Sequence, residues 1–236
     1  MMLDELAALL AYVDRHDAAQ GDYRQAIEAD NCLGKRSAKT RKLTYQHLVD
    51  LYALDTDNLL FRALRYFWTR DAAGHPLLAL LCTYARDPIF RATAPLILNC
   101  PRGAVITRES LEEYIDSQEP ERFSKATLKS TAQNINASWT KSGHLLGRTP
   151  KVRSQATPTP GSTAYAVLLG YLSSARGPGL FATDYAKLLD CSKDQAIELA
   201  EHAARKGWIS YKRVGDVIEV LFPQLINPQE QEWLHE

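Results

Sequence analysis

The sequence predicts a mainly α-helical protein in two parts: an all-helical domain over residues 1–148 and a smaller winged helix-turn-helix-like domain over residues 163–222. Helix-starting residues and apolar residues at helical spacing dominate the first two thirds of the chain. Residues 149–162 contain three prolines and a glycine among small polar residues, which predicts a linker. Beyond the linker, two β-branched and aromatic runs predict a β-hairpin. Residues 223–236 are expected to form a C-terminal tail.

The composition is that of an ordinary globular protein. Of 236 residues, 45% are hydrophobic and 24% are charged, enough to bury a core without disulfides. The longest apolar run, residues 76–85, has about half of the roughly 20 residues that a membrane-spanning helix needs. The four cysteines form no Cys-x-x-Cys pair, and no signal-like stretch opens the chain. We therefore expect a cytoplasmic protein with reduced thiols and no membrane segment.

Local signals mark the helices of the first part. Residues 3–15 repeat apolar side chains at helical spacing. Asp87 followed by Pro88 is typical of an N-cap and the first helical position. Thr107 is expected to cap a helix over residues 108–117, whose glutamates suit the positive end of the helix dipole. No alternating pattern predicts a strand before residue 150.

The clearest predicted helix covers residues 124–142 and ends at Gly143. Its apolar side chains share one face and are Leu128, Ala132, Ile135 and Trp139. At about 100° per residue, a second set lies on the flank beside them, namely Lys125, Lys129, Gln133, Asn136 and Thr140. This flank offers hydrogen-bond donors and no carboxylate, which is typical of a phosphate-contacting surface or of a solvated helix face.

Positive charge is segregated along the chain. Residues 122–183 contain eight lysines and arginines and no acidic residue, although the whole chain has a formal net charge of zero. A local field of one sign attracts polyanions whatever the net charge of the protein. We therefore expect a polyanion-binding surface in this part of the chain.

A second basic cluster precedes a helix in the first part. Residues 35–42 contain five positive charges and no negative one. Gly34 and Ser37 predict a turn that leads into a helix carrying Tyr45 and Tyr52. Backbone N–H groups and the helix dipole add to side-chain charge at such a position, which favours phosphate binding. A solvated turn with basic side chains fits the same residues.

The second part begins with three predicted helices. They cover residues 163–173, residues 181–189, and a segment that opens with a capping-box pattern of Ser192 and Gln195 and ends near Gly207.

Two strands follow, over residues 208–213 and 217–222, joined by Val214-Gly215-Asp216. The order of helix, helix, helix and hairpin is typical of a winged helix, although another small α+β domain would have the same order.

The third helix of this part is acidic. Asp194, Glu198 and Glu201 occupy positions where a base-reading helix would meet phosphates, so like charges oppose its approach to DNA. Lys212 and Arg213 in the hairpin offer backbone contacts. We expect phosphate positioning and not base readout.

Signatures of catalysis are lacking. The sequence contains no P-loop, no Gly-x-Gly-x-x-Gly, no His-Glu-x-x-His and no Gly-x-Ser-x-Gly, and its six histidines follow no metal-ligand spacing. We predict no catalytic residue, no metal and no cofactor. A site assembled only by the fold, for example from Asp87, Glu112 and His144, stays open.

Residues 27–40 resemble the N-x-L-x-K-R-S-x-x-T segment near the start of BrxA proteins, components of bacterial BREX phage-exclusion systems. Residues 76–91 and 124–148 look like later helices of that family, and the resemblance spans roughly residues 20–222. The turn at residues 142–144 and the proline-rich linker depart from the family pattern, which bears on how the two domains are placed. The resemblance implies a small, non-enzymatic, mostly helical two-domain protein that associates with DNA in a multi-protein defence system.

Together these observations predict a DNA-binding accessory protein of phage defence that contacts the backbone of double-stranded DNA and other proteins of the system. The expected contact residues are Lys35, Arg36, Ser37, Lys39, Arg41, Lys42, Lys125, Lys129, Arg148, Lys151, Arg153, Lys212 and Arg213. Two alternatives remain: a protein–protein adaptor that uses its winged helix, and a helical RNA-binding protein.

Overall fold

The structure, a computed structural model, describes residues 1–233. Within them the chain forms thirteen α-helices and five short strands, so the prediction of a mainly helical protein is confirmed. The strands form two small antiparallel sheets, of which the sequence predicts only the hairpin. The helices are α1 (Leu3–Tyr12), α2 (Gln20–Glu28), α3 (Ala38–Tyr52), α4 (Leu59–Trp68), α5 (His75–Arg86), α6 (Pro88–Ala92), α7 (Ala94–Leu98), α8 (Arg108–Gln118), α9 (Lys125–Lys141), α10 (Pro160–Leu172), α11 (Asp184–Lys187), α12 (Lys193–Arg205) and α13 (Pro228–Trp233). The last three residues of the predicted tail, 234–236, lie outside the described residues.

Two apolar helices form the centre of the molecule. The apolar run at residues 76–85 lies in α5, which is buried at every position from Leu77 to Tyr84. Helix α10 is buried at every position from Gly161 to Tyr171. A helix that is apolar on all sides needs partners on all sides. Helix α10 packs against α4 and α5 of the first part and against α11 and α12 of the second, and one continuous hydrophobic core results.

The segment predicted as a linker is part of the fold. Strand β3 (Lys151–Arg153) pairs antiparallel with both β1 (Val105–Ile106) and β2 (Leu145–Leu146), in the order β1-β3-β2. The expectation of no strand before residue 150 is therefore wrong, because strands of two or three residues are too short to show alternation. Pro160 is the first residue of α10, and Thr159 caps that helix. Pro160 thus marks a helix start, whereas Pro150 lies in the turn between β2 and β3.

Hydrogen bonds join the start of α10 to the first part of the chain. The Gly161 N–H donates to Asp71 Oδ2 at 2.7 Å, so a carboxylate lies at the positive end of the helix dipole. A Cβ atom at Gly161 would lie 2.6 Å from the same oxygen, so this approach requires glycine. The Tyr165 hydroxyl donates to the Leu60 carbonyl at 3.0 Å. The two predicted parts are thus in direct contact.

The last part follows the predicted order of elements. The predicted helix at 181–189 is instead a 3₁₀ segment, Gly177–Ala182, followed by the four-residue α11. Helix α12 starts at the predicted cap, where Ser192 Oγ accepts from the Gln195 N–H at 3.2 Å. Strands β4 (Ser210–Val214) and β5 (Val217–Leu221) pair as a hairpin.

A buried histidine ties the end of α9 to the second part. His144 is fully buried; its Nδ1 lies 2.8 Å from Ser142 Oγ, and its Nε2 lies 3.0 Å from the Leu188 carbonyl oxygen. A carbonyl can only accept, so Nε2–H donates to Leu188. In a neutral ring Nδ1 then accepts from the Ser142 hydroxyl, whose single proton is shared with the Trp139 carbonyl at 3.0 Å. Burial lowers the pKa of His144 to about 4, and the nearby Arg153 also lowers it, although Asp190 opposes the shift.

The lowered pKa of His144 predicts a pH-dependent stability. The unfolded chain takes up a proton at His144 below pH 6.5, whereas the folded protein resists protonation down to about pH 4. The contribution of neutral His144 to the free energy of unfolding is therefore fully present above pH 6.5. We expect it to decrease as the pH falls from 6.5 to about 4. Urea unfolding at several pH values measures the effect in the wild type and in His144→Gln. The variant should show a shallower pH dependence, and identical profiles would contradict the prediction.

Candidate nucleic-acid interface

Helix α9 separates a buried face from a basic flank, as the sequence predicts. Trp139 is fully buried, and its Nε1 donates to Thr93 Oγ1 at 3.1 Å. Lys125 and Lys129 are exposed on the flank, and neither has a carboxylate within 4.0 Å among residues 1–233. The flank therefore presents to solvent two lysines that form no direct ion pair, although Lys129 is close enough to Glu109 to lower the pKa of that carboxyl.

The flank leads into a cleft of about 360 Å³ between the start of α8, the middle of α9 and the β2–β3 turn. Its polar lining comes from all three elements and consists of Thr107, Arg108, Glu109, Gln133, Asn136, Arg148, Thr149 and Lys151, with Glu109 as the one carboxylate among them. The fold thus brings two predicted contact residues of the 122–183 stretch, Arg148 and Lys151, next to the amide side chains of α9. Only tertiary structure creates this arrangement.

The β2–β3 turn aims its cations at the cleft. Gly147 has a φ of +88°, and a Cβ atom there would lie 2.7 Å from the Pro150 carbonyl oxygen, so the turn requires glycine. The Lys151 ammonium donates to the Gly147 carbonyl at 2.7 Å. Arg148 is exposed, and within the described part of the chain neither cation has an acidic partner.

Arg108 also lines the cleft, although it is not among the contact residues that the sequence predicts. Its Nε lies 2.8 Å from Glu112 Oε1, and its NH2 group lies 2.6 Å from Glu109 Oε1, so its charge is compensated. The pKa of Glu109 is lowered, first by a hydrogen bond from its own backbone N–H and further by Arg108 and Lys129. The uncompensated charge of the cleft therefore comes from Arg148 and Lys151.

Asn136 lines the cleft with an unsatisfied oxygen. The residue is only 7% exposed, and its Oδ1 accepts no hydrogen bond from any described residue. A buried polar atom without a partner costs about 1–3 kcal/mol, and such atoms in native proteins call for a functional or solvent explanation. The oxygen itself is shielded from solvent, and a phosphate ester offers it no hydrogen-bond donor, so Asn136 forms part of the cleft wall. The sequence placed Asn136 on the basic flank, but its burial follows from packing.

The other predicted cluster, residues 35–42, forms the start of α3. Ser37 Oγ accepts from the Thr40 N–H at 3.1 Å and so caps the helix, and the first turn contains no acidic residue. Four of the five cations have no carboxylate partner among residues 1–233. They are Arg36, Lys39 and Lys42, which are exposed, and Arg41, which is half-buried. These four make the α3 start a second basic surface.

Helix α1 contacts both basic clusters. Glu5 Oε1 lies 3.1 Å from the Lys35 ammonium, and the preceding residue Asp4 pairs with Lys141 of α9 at 2.7 Å. Lys35 is therefore held in an intramolecular ion pair, unlike its neighbours in the turn. No direct hydrogen bond or ion pair joins the two clusters within the described residues.

The prediction that Arg153 contacts a phosphate is wrong. The residue is only 4% exposed, and its guanidinium forms a two-pronged ion pair with Asp190, at 2.8 and 2.9 Å. Its Nε also donates to the Ile97 carbonyl at 2.9 Å. The side chain therefore points into the core and does not reach a phosphate. Its partner lies 37 residues away, so sequence proximity did not reveal the pair.

The hairpin offers a weaker positive surface. Lys212 and Arg213 are both exposed. The Lys212 ammonium lies 3.6 Å from Glu219, and Arg213 Nε donates to the Gly215 carbonyl at 3.1 Å. The hairpin thus has a single cation without an acidic partner among the residues that the structure describes.

The three residues considered for a site assembled by the fold have separate structural roles. Asp87 caps α6 by accepting from the Ile89 N–H, Glu112 pairs with Arg108, and His144 bonds to Ser142 and to the Leu188 carbonyl. No hydrogen bond or ion pair connects the three within residues 1–233. In the same range no group of histidine, cysteine and acidic residues is arranged to hold a metal ion, and no helix is long and apolar enough to span a bilayer.

No protein-family model, curated protein or solved structure matches this chain. The assignment of a function therefore depends on the residues and their geometry.

The contrast between Arg153 and Arg148 can be measured. Arg153→Ala removes a buried guanidinium and leaves the carboxylate of the partly exposed Asp190 with only the Ala156 N–H as a partner among the described residues, and we expect the free energy of unfolding to fall by about 3 kcal/mol. Arg148→Ala removes an exposed side chain, and we expect a change within about 0.5 kcal/mol. Urea denaturation followed by circular dichroism gives both values. Equal effects of the two substitutions would contradict the assignment of Arg153 to the core.

Proposed function

We propose that this protein is a non-enzymatic DNA-binding accessory protein that contacts the phosphate backbone of duplex DNA largely without base recognition. One observation carries the proposal: the α9 flank and the adjoining cleft present Lys125, Lys129, Arg148 and Lys151 with no carboxylate within ion-pair distance among the described residues. The resemblance of residues 27–40 to BrxA proteins supports a place in a BREX-type phage-defence system.

The chemistry of this surface suits a polyanion. Lysine and arginine side chains neutralise phosphates and release condensed counterions, which supplies most of the affinity of non-specific DNA binding. The exposed Gln133 amide beside the cleft adds a donor for phosphate oxygens. The start of α3, with Lys39 and Lys42, provides a second backbone contact. We expect both surfaces to contribute to binding.

The last part of the chain supports backbone contact over base reading. The order of α10, α11, α12 and the β4–β5 hairpin is typical of a winged helix, and we propose that this unit is one. Asp194 and Glu198 are exposed on α12, the third helix, and carboxylates oppose approach to phosphates. We therefore expect α12 to stay out of the major groove, with at most Lys212 and Arg213 of the hairpin touching the backbone.

A second function is favoured by the same unit. Val214 and Val217 at the hairpin tip are 80% and 71% exposed, and exposed apolar side chains suit contact with a protein partner. The exposed carboxylates of α12 offer such a partner a further, acidic surface. An adaptor that uses these surfaces would bind other proteins of the defence system. The adaptor needs no duplex binding, so measurements with DNA separate the two functions.

The logarithm of the association constant for duplex DNA is expected to fall linearly with the logarithm of the salt concentration, with a slope of about −0.9 for each phosphate contact. A mobility-shift titration over a salt series measures the slope. Single-stranded DNA and structured RNA at one salt concentration test the alternative of RNA binding. Absence of duplex binding at low salt, or binding that ignores salt, would overturn the proposal and leave the adaptor.

Charge reversal should identify the residues that touch phosphate. We expect Lys125→Glu with Lys129→Glu on α9, and Lys39→Glu with Lys42→Glu on α3, each to reduce affinity and to reduce the salt slope by about 0.9 for every phosphate that is no longer neutralised. The reduction in affinity should be the same for unrelated duplex sequences. Lys187→Glu changes an exposed lysine that pairs with Asp184 outside both surfaces and serves as the matched control. An effect confined to one DNA sequence would indicate base readout instead.

A further inference from the structure

A second pocket lies between α4 and the segment that follows the hairpin, and it shares no residue with the α9 cleft or the start of α3. Its volume is about 240 Å³. Three arginines of or just after α4 line it, namely Arg62, Arg65 and Arg70, together with His16, and the chain at Gln224 and Leu225 closes the other side. No aspartate or glutamate is among the described residues of its lining. The pocket is therefore electropositive.

Arg65 is a buried cation without a carboxylate. The residue is 5% exposed, and within residues 1–233 no acidic side chain lies within ion-pair distance. Its guanidinium donates to the Tyr23 hydroxyl and lies 5.8 Å from the centre of that ring. Burial raises the pKa of Tyr23, so the tyrosine stays neutral and supplies no negative charge. A buried charge is normally paired, because its removal from water is costly.

The neighbouring arginines differ in their partners. Arg62 is compensated, since its NH2 group lies 2.6 and 2.8 Å from the two carboxylate oxygens of Glu230. Arg70 stacks on Tyr66, with its guanidinium carbon 3.7 Å from the ring centre, and it has no acidic partner in the described chain. Two uncompensated guanidinium groups therefore border one pocket, and one of them is buried.

We propose that this pocket binds a dianionic phosphate, either inorganic phosphate or a small phosphate monoester, with Arg65 as its buried anchor. Two negative charges would compensate Arg65 and Arg70 together, whereas a carboxylate ligand would compensate only one. The planar guanidinium group matches the geometry of phosphate oxygens. A volume of about 240 Å³ accommodates a small ester but not a duplex. The site is independent of nucleic-acid binding, because no residue of the pocket belongs to either basic surface.

The test measures the melting temperature of the full chain as phosphate is added at constant ionic strength. A ligand that binds only the folded protein raises the melting temperature as its concentration exceeds Kd. We expect this rise in the wild type and a Kd at least tenfold weaker in Arg65→Met. Without phosphate, Arg65→Met should melt no lower than the wild type, because it removes an uncompensated buried charge. Arg102→Met changes an exposed arginine outside the pocket and outside both basic surfaces, and it should keep the full phosphate effect.

Two further variants and a second ligand extend the test. Arg70→Gln changes an exposed residue and should weaken phosphate binding without loss of folding. Glu230→Gln should tighten binding several-fold, because it removes the carboxylate that pairs with Arg62. Tighter binding of glycerol 3-phosphate than of inorganic phosphate would assign the site to an ester, and equal binding would assign it to phosphate itself. The proposal is overturned if phosphate leaves the wild-type melting temperature unchanged. It is also overturned if the melting temperature of Arg65→Met lies below that of the wild type by the same amount at every phosphate concentration, because phosphate would then stabilise both proteins equally.

Discussion

The packing of α5 against α10 is the constraint on which the rest of the structure depends. Both helices are apolar around their whole circumference, so each can be stable only inside a shell of other elements. Helix α5 packs against α3 and α4, and α10 packs against α11 and α12. Because the two central helices also contact each other, the helical first part and the hairpin-bearing last part share one core.

This packing also positions the cleft. The start of α10 is bound to Asp71, and the chain that leads to it passes β1 and β2 closely enough to complete a three-stranded sheet. Arg153 in β3 is then fixed by Asp190, which precedes α12. The β2–β3 turn is thereby held beside α9, where Arg148 and Lys151 border the same cleft as Asn136. The cleft is thus a consequence of core packing.

The distribution of ion pairs separates structural cations from those available to ligands. Within the acid-free stretch, Lys141 and Arg153 are paired with acidic residues that lie elsewhere in the chain. The four cations of the α9 flank and cleft have no such partner in the described residues, and neither does the buried Arg65. The density of charge along the sequence overestimates the number of unpaired cations in the acid-free stretch, and it does not reveal the arginine pocket. The fold decides which cations are paired, because it determines which carboxylates lie next to them.

Features that depend on neighbouring residues could be predicted from the sequence. Capping side chains such as Thr107, Ser124 and Ser192 mark the helix starts that the structure has, and the apolar stripe of α9 separates its buried and exposed faces, because caps and helical periodicity act within one or two turns. Long-range packing was needed to join residues 149–162 to a sheet, to bury Arg153, and to form the cleft and the arginine pocket. These features depend on contacts between residues tens of positions apart, which no local pattern encodes.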